Sequence, residues 1–154
     1  MRAFTTLALA ALVSSGLSAP ASAFSFTPKN TNFYATGPVT ITTPNGPQAC
    51  TLTSEGVTTG EGVAEFINAS LTGGSDVCFT TFFAGAPYAV TPTGLRRGKI
   101  QRVATTGSIG SCGPGTLRFS VNKTGVWTVD PTSLAGGCTI SAALATSPRI
   151  TIAP

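Results

Sequence analysis

Apolar and polar residues alternate in short runs along much of the chain. Val39 and Ile41 flank a threonine, and Leu117, Phe119 and Val121 alternate with polar residues in the same way. Successive side chains of a β-strand point to opposite faces of the sheet, so a period of two predicts strands with one buried face. Helical spacing with capping residues is lacking after residue 23. The pattern therefore predicts an all-β chain.

Segments rich in glycine and proline separate these runs, as at 44–47, 73–74, 113–115 and 136–137. Such residues favour turns, and strands separated by turns at about 8–12 residues are typical of sandwiches and barrels. We expect an antiparallel sandwich or barrel of about ten short strands. Residues 24–36 are expected to form an arm or an extra edge strand. The predicted strands are 38–43, 49–55, 62–68, 77–83, 87–92, 98–106, 115–121, 125–130, 137–144 and 148–153.

The chain carries an internal repeat. Two dipeptides recur at one constant offset, Gly-Val at 62–63 and 125–126 and Gly-Gly at 73–74 and 136–137. Each copy alone is too small to bury a good core. We therefore expect one β domain over residues 24–154, with repeat copies at roughly 38–93 and 98–154.

The four cysteines are expected to form disulfides, because an even number in an exported chain indicates bridges. Three pairings are possible. The repeat favours Cys50–Cys78 and Cys112–Cys138, since each copy then closes its own loop, which would stabilise the fold by about 3–4 kcal/mol. The alternative is a zinc site, but the chain has no CxxC pair and no histidine.

The beginning of the chain has the pattern of a secretory signal peptide. Arg2 supplies a positive charge, and an apolar run follows at 7–13. That run is too short to span a bilayer. Pro20 breaks the helix before small residues at 21–23, where signal peptidase cleaves. We expect residues 1–23 to be removed and the protein to be exported to the cell surface or beyond, with the periplasm as the alternative.

The chain is weakly charged. Charged residues make up 9% of it, against about a quarter in an average protein. Nine basic and five acidic residues give a net charge of +4, an excess too small to indicate a nucleic-acid partner. Apolar content is ordinary, so the composition is not that of a disordered chain. No stretch after residue 23 is apolar for long enough to span a membrane.

Catalytic chemistry finds little support in the sequence. The chain has no histidine, the commonest general base, and no Gly-x-Ser-x-Gly elbow. A carboxylate-based enzyme that uses Glu61, Glu65 and Asp130 is the alternative, but isolated surface acids are the simpler interpretation. We expect a non-enzymatic protein without a cofactor or metal.

One basic cluster offers a candidate anion-binding site. Arg96, Arg97, Lys99 and Arg102 lie in the link between the two copies of the repeat. They could hold anionic sugars or the phosphates of a membrane surface. The alternative is a solvated linker and edge strand, whose cations prevent pairing with another sheet edge.

Aromatic residues offer a candidate apolar contact surface. Phe82, Phe83 and Tyr88 lie close together in the sequence, near Phe79, and Trp127 lies in the second copy. Consecutive residues of a strand face opposite sides, so one of Phe82 and Phe83 is expected to be exposed. An exposed apolar patch could contact hydrocarbon, lipid or a partner protein. Packing in the core is the alternative for all four candidates.

A resemblance to a known family lies in five segments, at 27–33, 35–38, 111–115, 136–140 and 146–148. They are similar to segments of the bacterial family called protein activator of alkane oxidation, and the likeness covers most of the chain after residue 23. The resemblance implies a small exported protein that promotes growth on, or oxidation of, poorly soluble alkanes. It implies no catalytic residue.

Two functions therefore compete. In the first, an exported non-enzymatic protein at the cell surface or in the extracellular matrix assists contact with hydrocarbon through apolar and aromatic side chains. In the second, a matrix or adhesion module binds anionic polysaccharide through the basic link at 96–102, a segment in which the chain departs from the family pattern. Weakly charged, threonine-rich strands also permit self-association through their edges.

Overall fold

The computed structural model describes residues 24–154, so the expected signal peptide lies outside the described residues. The prediction of an all-β chain is confirmed, because strands dominate this part and one four-residue helix is the exception. The elements are β1 (Ser25–Thr27), β2 (Thr31–Thr43), β3 (Gly46–Thr58), β4 (Ala64–Thr72), α1 (Asp76–Phe79), β5 (Thr81–Ala84), β6 (Tyr88–Gly94), β7 (Arg97–Gly107), β8 (Cys112–Val121), β9 (Val126–Leu134), β10 (Cys138–Ser147) and β11 (Thr151–Ala153).

The sheet closes on itself as an antiparallel barrel. Its strand order is β5-β7-β6-β4-β3-β2-β10-β9-β8, and β8 pairs in addition with β7. β5 pairs with the same edge of β7 as β6, but nearer the end of β7. The closed ring therefore has eight strands, β2 to β4 and β6 to β10, with β5 as an extra strand. Of the two architectures expected from the sequence, the barrel is the one observed.

The period-two pattern places apolar side chains inside the barrel. Val39 is buried in β2, and Leu117 and Phe119 are buried in β8. Arg118 and Ser120, which alternate with the two β8 residues, are exposed. Eight strands enclose an interior just wide enough to be filled by side chains or to hold a small ligand.

An aromatic cluster fills one end of the barrel, which we call the aromatic end. Trp127 is fully buried at its centre. Its ring stacks on Phe119, with centroids 4.5 Å apart, and on Phe26 at 5.3 Å. Phe66 and Phe33 approach the same indole at 5.7 and 5.9 Å. Such ring contacts add to the free energy of apolar burial.

A two-stranded ribbon covers the aromatic end. β1 pairs with β11, so that Phe26 lies opposite Ile152. The indole N–H of Trp127 donates to the carbonyl of Ile150 at 3.2 Å, and the backbone N–H of Phe26 donates to Gly62 at 2.8 Å. The ribbon therefore closes the barrel and satisfies the buried indole.

The two disulfides lie toward the opposite end, which we call the disulfide end. Cys50 bonds to Cys78 and Cys112 to Cys138, so the pairing favoured by the repeat is confirmed. The first bridge ties α1 to β3, and the second joins the starts of β8 and β10. Disulfides of this kind form and persist in an oxidising compartment.

The predicted strand at 77–83 is wrong in its first half. Residues 76–79 form the helical turn α1, and the strand β5 begins only at Thr81. Gly73 and Gly74 precede the turn with positive φ, and a side chain at Gly74 would collide with the carbonyl of Ala49. Because residues 73–74 pass this close to β3, the following helical turn can place Cys78 next to Cys50, and the buried disulfide forms there.

Residues 24–36 form neither an arm nor an edge strand. Their first part is the ribbon strand β1, and the rest is the first half of β2. β2 pairs with β3 on one side and β10 on the other. Phe33 and Ala35 are buried on its inner face, which explains why this segment lies within the ring.

The β3–β4 and β8–β9 hairpins have matching turns. The backbone N–H of Gly62 donates to Thr59, and that of Gly125 donates to Asn122, both at 3.1 Å. The two turns occupy corresponding positions of the expected repeat. The division of the chain into two copies stays a prediction.

We expect Phe26→Ala to lower the free energy of unfolding by about 3–5 kcal/mol, because truncation leaves a cavity beside Trp127. Phe82→Ala is the matched control, since it removes the same ring from a position that is 61% exposed. That variant should change the free energy of unfolding by less than about 0.5 kcal/mol. Chemical denaturation of the oxidised proteins measures both values. Equal losses would contradict the role given to the aromatic end.

Candidate functional site

An apolar cavity lies inside the barrel, between the aromatic end and the disulfide end. Its volume is about 40 Å³, and its wall includes Val39, Leu52, Val103, Leu117 and Ile140. These side chains come from strands all around the ring, because each strand turns its apolar face inward. Walls of this kind offer water few partners and are compatible with apolar groups.

Ser54 is the one polar residue among the described residues that line the cavity. Its hydroxyl donates to the carbonyl of Asn68 at 2.6 Å, so its donor is already used. A polar or charged ligand would lose its hydration here without gaining a free donor. The chemistry of the wall therefore favours a hydrocarbon over a polar molecule.

The hydrogen-bond ladder of the barrel is short at two interstrand boundaries: β8 pairs with β9 through three residues of each strand, and so does β4 with β6. β4 pairs with β6 only through Ala64, Glu65 and Phe66. Residues 67–72 of β4 then run beside β5 without pairing with it, and within the described residues no hydrogen bond crosses this gap. We call the gap the seam.

The cavity wall includes the seam. Ala69 of β4 and Phe83 of β5 are both half-buried, both line the cavity and pack against the core from either side of the gap. The ring of Phe83 meets that of Tyr88 edge-on, with centroids 6.4 Å apart. Phe83 thus fills the side of the barrel that the ladder leaves open.

The segment that borders the seam exposes aromatic rings to solvent. We call residues 76–84, which comprise α1 and β5, the seam segment. Phe79 is 57% exposed and Phe82 is 61% exposed. The disulfide from Cys78 to Cys50 anchors the segment to β3. Two large apolar side chains are thereby held in water beside the seam.

Of the four residues predicted to form an aromatic contact surface, Phe82 is exposed, whereas two are buried and cannot contribute to such a surface. Trp127 is completely buried because it forms the centre of the aromatic end, and Tyr88 is buried on the inner face of β6. Phe83 is half-buried. The expectation that the consecutive residues Phe82 and Phe83 face opposite sides is met.

Tyr88 is held by hydrogen bonds beside the seam. Its hydroxyl donates to the carbonyl of Ala84 at 2.6 Å and approaches that of Ala104 at 3.3 Å. Burial raises the pKa of Tyr88 above its ordinary value of 10.0. The neutral side chain therefore links the start of β6 to the end of β5 over the physiological pH range.

A second site, which we call the basic groove, lies on the outer surface of the barrel. It has a volume of about 680 Å³ and is lined in part by Arg97, Lys99 and Arg118. Lys99 of β7 is directly opposite Arg118 of β8 in the register, and Arg97 is opposite Ser120. Like charges at directly opposed positions are destabilising.

No described residue neutralises these cations. Asp130 of β9 also lines the basic groove, yet it forms no ion pair or hydrogen bond with Arg97, Lys99 or Arg118. The repulsion between Lys99 and Arg118 is therefore uncompensated within the described chain. An anionic ligand would relieve it.

The structure separates the four cations predicted to act together. Arg97 and Lys99 share the basic groove, whereas Arg96 lies in the β6–β7 turn and lines another groove, of about 300 Å³, with Lys123. Arg102 lines neither groove. The prediction of one cluster at 96–102 is wrong in this respect, because Arg96 and Arg102 have φ of 59° and interrupt the strand alternation.

Sequence reasoning missed Arg118 as a member of the basic groove. The alternation of β8 marks Arg118 as outward-facing, but only the register of β7 with β8 places it opposite Lys99. The signal was present in the sequence as a lone cation between two core residues. It could not be assigned to a site without the pairing.

The structure does not bring the candidate carboxylates together. Glu61 lies in the β3–β4 turn, Glu65 lies in β4, and Asp130 lies in β9, on the opposite side of the ring from β4. The described residues contain no group of three or more histidine, cysteine or acidic side chains that could hold a metal. Residues 24–154 include no helix that is both long and apolar enough to cross a membrane.

Comparison with known proteins gives one match. The chain is similar over residues 1–154 to the family described as alkane oxidation protein activator PraA/PraB-like. No curated protein and no solved structure matches the chain significantly. The resemblance seen in five segments of the sequence is thereby confirmed over the whole length. The chain belongs to the PraA/PraB-like family of alkane oxidation activators.

Proposed function

We propose that this protein is an exported, non-catalytic activator that promotes the uptake or oxidation of alkanes by contacting hydrocarbon at the cell surface or the oil–water interface. The observation that carries the proposal is the pair of exposed rings on the seam segment, Phe79 and Phe82. Membership of the family supplies the connection to alkanes. The two disulfides supply the connection to an oxidising compartment.

Exposed phenylalanines have a physical reason to move into oil. Full transfer of such a side chain out of water is worth about 1.5–3 kcal/mol. Phe79 and Phe82 are three positions apart on a segment that Cys78 anchors, so both could adsorb without unfolding of the barrel. The low charge of the chain, 9% of residues, also limits the loss of hydration at an oil surface.

The other exposed apolar residues are distributed over the barrel. Tyr34 lies in β2, Ile67 in β4, and Leu95 in the β6–β7 turn near the aromatic end. Single exposed apolar residues are normal on a protein surface. Leu95, which is 55% exposed, therefore serves as a matched control for the two phenylalanines.

We expect oxidised protein to lower the tension of a hexadecane–water interface more than an inert protein of equal size. Phe79→Ser/Phe82→Ser should lose at least half of this excess, because two rings no longer transfer to the oil. Leu95→Ser, at the other end of the barrel, should keep it. Pendant-drop tensiometry measures the three proteins at equal concentration.

Two outcomes of that measurement would contradict the proposal. If wild-type protein lowered the interfacial tension no more than the inert protein does, it would have no specific interfacial activity. An equal loss in the double variant and in Leu95→Ser would show that general apolar exposure, and not the seam segment, causes the adsorption.

A matrix or adhesion function is a second candidate, which the basic groove favours. Lys99 and Arg118 face each other without a counter-ion, and Arg97 lies beside them. A chain of carboxylates, such as an anionic polysaccharide, would replace the repulsion between the two cations with attraction. A groove of about 680 Å³ has room for several sugar units along it.

We expect alginate to bind with an affinity that falls as NaCl rises, because the screening length is only about 10 Å at 0.1 M salt. Arg97→Gln/Arg118→Gln should weaken binding by about tenfold, given the modest free energy of each exposed charge contact. Arg102→Gln removes an equally exposed cation outside the groove and should bind as wild type does. Biolayer interferometry on immobilised alginate measures the binding of wild type and the two variants. Equal binding by all three proteins would contradict this candidate function.

A further inference from the structure

The interior of the barrel is built for an apolar guest. Of the described residues that line the cavity, all but Ser54 are apolar, and the hydroxyl of Ser54 already donates to Asn68. A water there could donate only to the Ser54 oxygen, far fewer than the two to four partners that a buried water needs, so an aliphatic chain would displace no well-held water. The inference that follows rests on the proposed function and deepens it, because it concerns where hydrocarbon is held.

The seam is a side on which the interior can open at low cost. Most adjacent strands of the ring are joined by a long ladder of backbone hydrogen bonds, each worth about 1 kcal/mol. The β8–β9 ladder is also short, but it has no strand like β5 beside it, with a half-buried ring in the cavity wall and exposed rings next to it. Residues 67–72 of β4 share no such bond with β5. Separation of these two segments therefore requires only the loss of side-chain packing, chiefly between Phe83 and the core.

Phe83 closes the seam and must move for the interior to be occupied. The cavity of about 40 Å³ is far smaller than the roughly 150 Å³ of a cavity that accepts benzene. The ring of Phe83 is half-buried and meets Tyr88 edge-on, so outward rotation breaks one aromatic contact and no hydrogen bond of its side chain.

We propose that a single unbranched alkane enters the barrel between β4 and β5 and lies in the apolar cavity, with Phe83 turned outward. The exposed rings of Phe79 and Phe82 lie on the same segment, so adsorption to oil would place the seam against the hydrocarbon phase. The protein would then carry alkane molecules one at a time, in addition to its action at the surface.

The test is methyl NMR of the oxidised protein exposed to n-octane through the vapour phase. Methyl signals of the cavity residues Val103, Leu117 and Ile140 should shift, whereas those of Ile150 and Ile152, which are buried at the aromatic end, should not. Equal shifts in both groups, or shifts in neither, would overturn the proposal.

Three variants test the role of Phe83. Phe83→Ala should bind n-octane several-fold more tightly, because it opens the seam and enlarges the cavity. Phe83→Trp should weaken binding by a similar factor, and Phe82→Ala, which truncates the outward neighbour, should leave it unchanged. Equal affinity in the alanine and tryptophan variants at position 83 would overturn the assignment of the seam as the entrance.

A parallel titration with octanoate separates a free hydrocarbon from the acyl chain of a lipid. No described residue in the cavity wall offers a partner to a carboxylate, so n-octane should bind more tightly than octanoate. Tighter binding of octanoate would overturn the assignment to alkanes.

Interfacial tension measured on the same samples distinguishes this inference from the proposed function. Adsorption to oil without shifts of the cavity methyl signals would contradict only this inference. The absence of adsorption would contradict the proposed function.

Discussion

Closure of the hydrogen-bond ladder around eight strands is the constraint on which the rest of this structure depends. A closed barrel removes the exposed sheet edges that promote aggregation. Here the ring closes, but its ladder is short between β8 and β9 and is missing along residues 67–72 of β4, where β5 runs alongside without pairing. The Cys50–Cys78 disulfide holds α1 and β5 next to that edge, so a covalent bond covers the place that backbone pairing leaves open.

The two ends and the interior of the barrel follow from the same constraint. Trp127 and the ribbon close one end, and the disulfides brace the other. The space between them is apolar because every strand turns its alternate residues inward. Under the function proposed here, the exposed rings of the seam segment and the interior behind them are the two places where the protein would contact hydrocarbon. The basic groove lies on the outer surface, where it could attach the protein to an anionic matrix.

Much of this fold is contained in local patterns. Alternation predicted the strands and the inward residues such as Leu117 and Phe119, and the repeat favoured the correct disulfides. Long-range pairing decided what local patterns could not. The burial of Trp127 depends on a ribbon that joins β1 to β11, and the position of Arg118 opposite Lys99 depends on the register of β7 with β8. The helical turn at 76–79 depends on the bridge from Cys78, which overrides the strand propensity of its neighbours.

Native-state hydrogen exchange tests the central claim, that the barrel opens readily at the seam, most directly. We expect the hydrogen-bonded amides of β5 to exchange about a hundredfold or more faster than those of β2 and β3, because β5 is paired along one edge only. β2 and β3 pair along both edges and should exchange only through global unfolding. Protection of β5 equal to that of β2 and β3 would contradict the account, since the seam would then open no more readily than the rest of the ring.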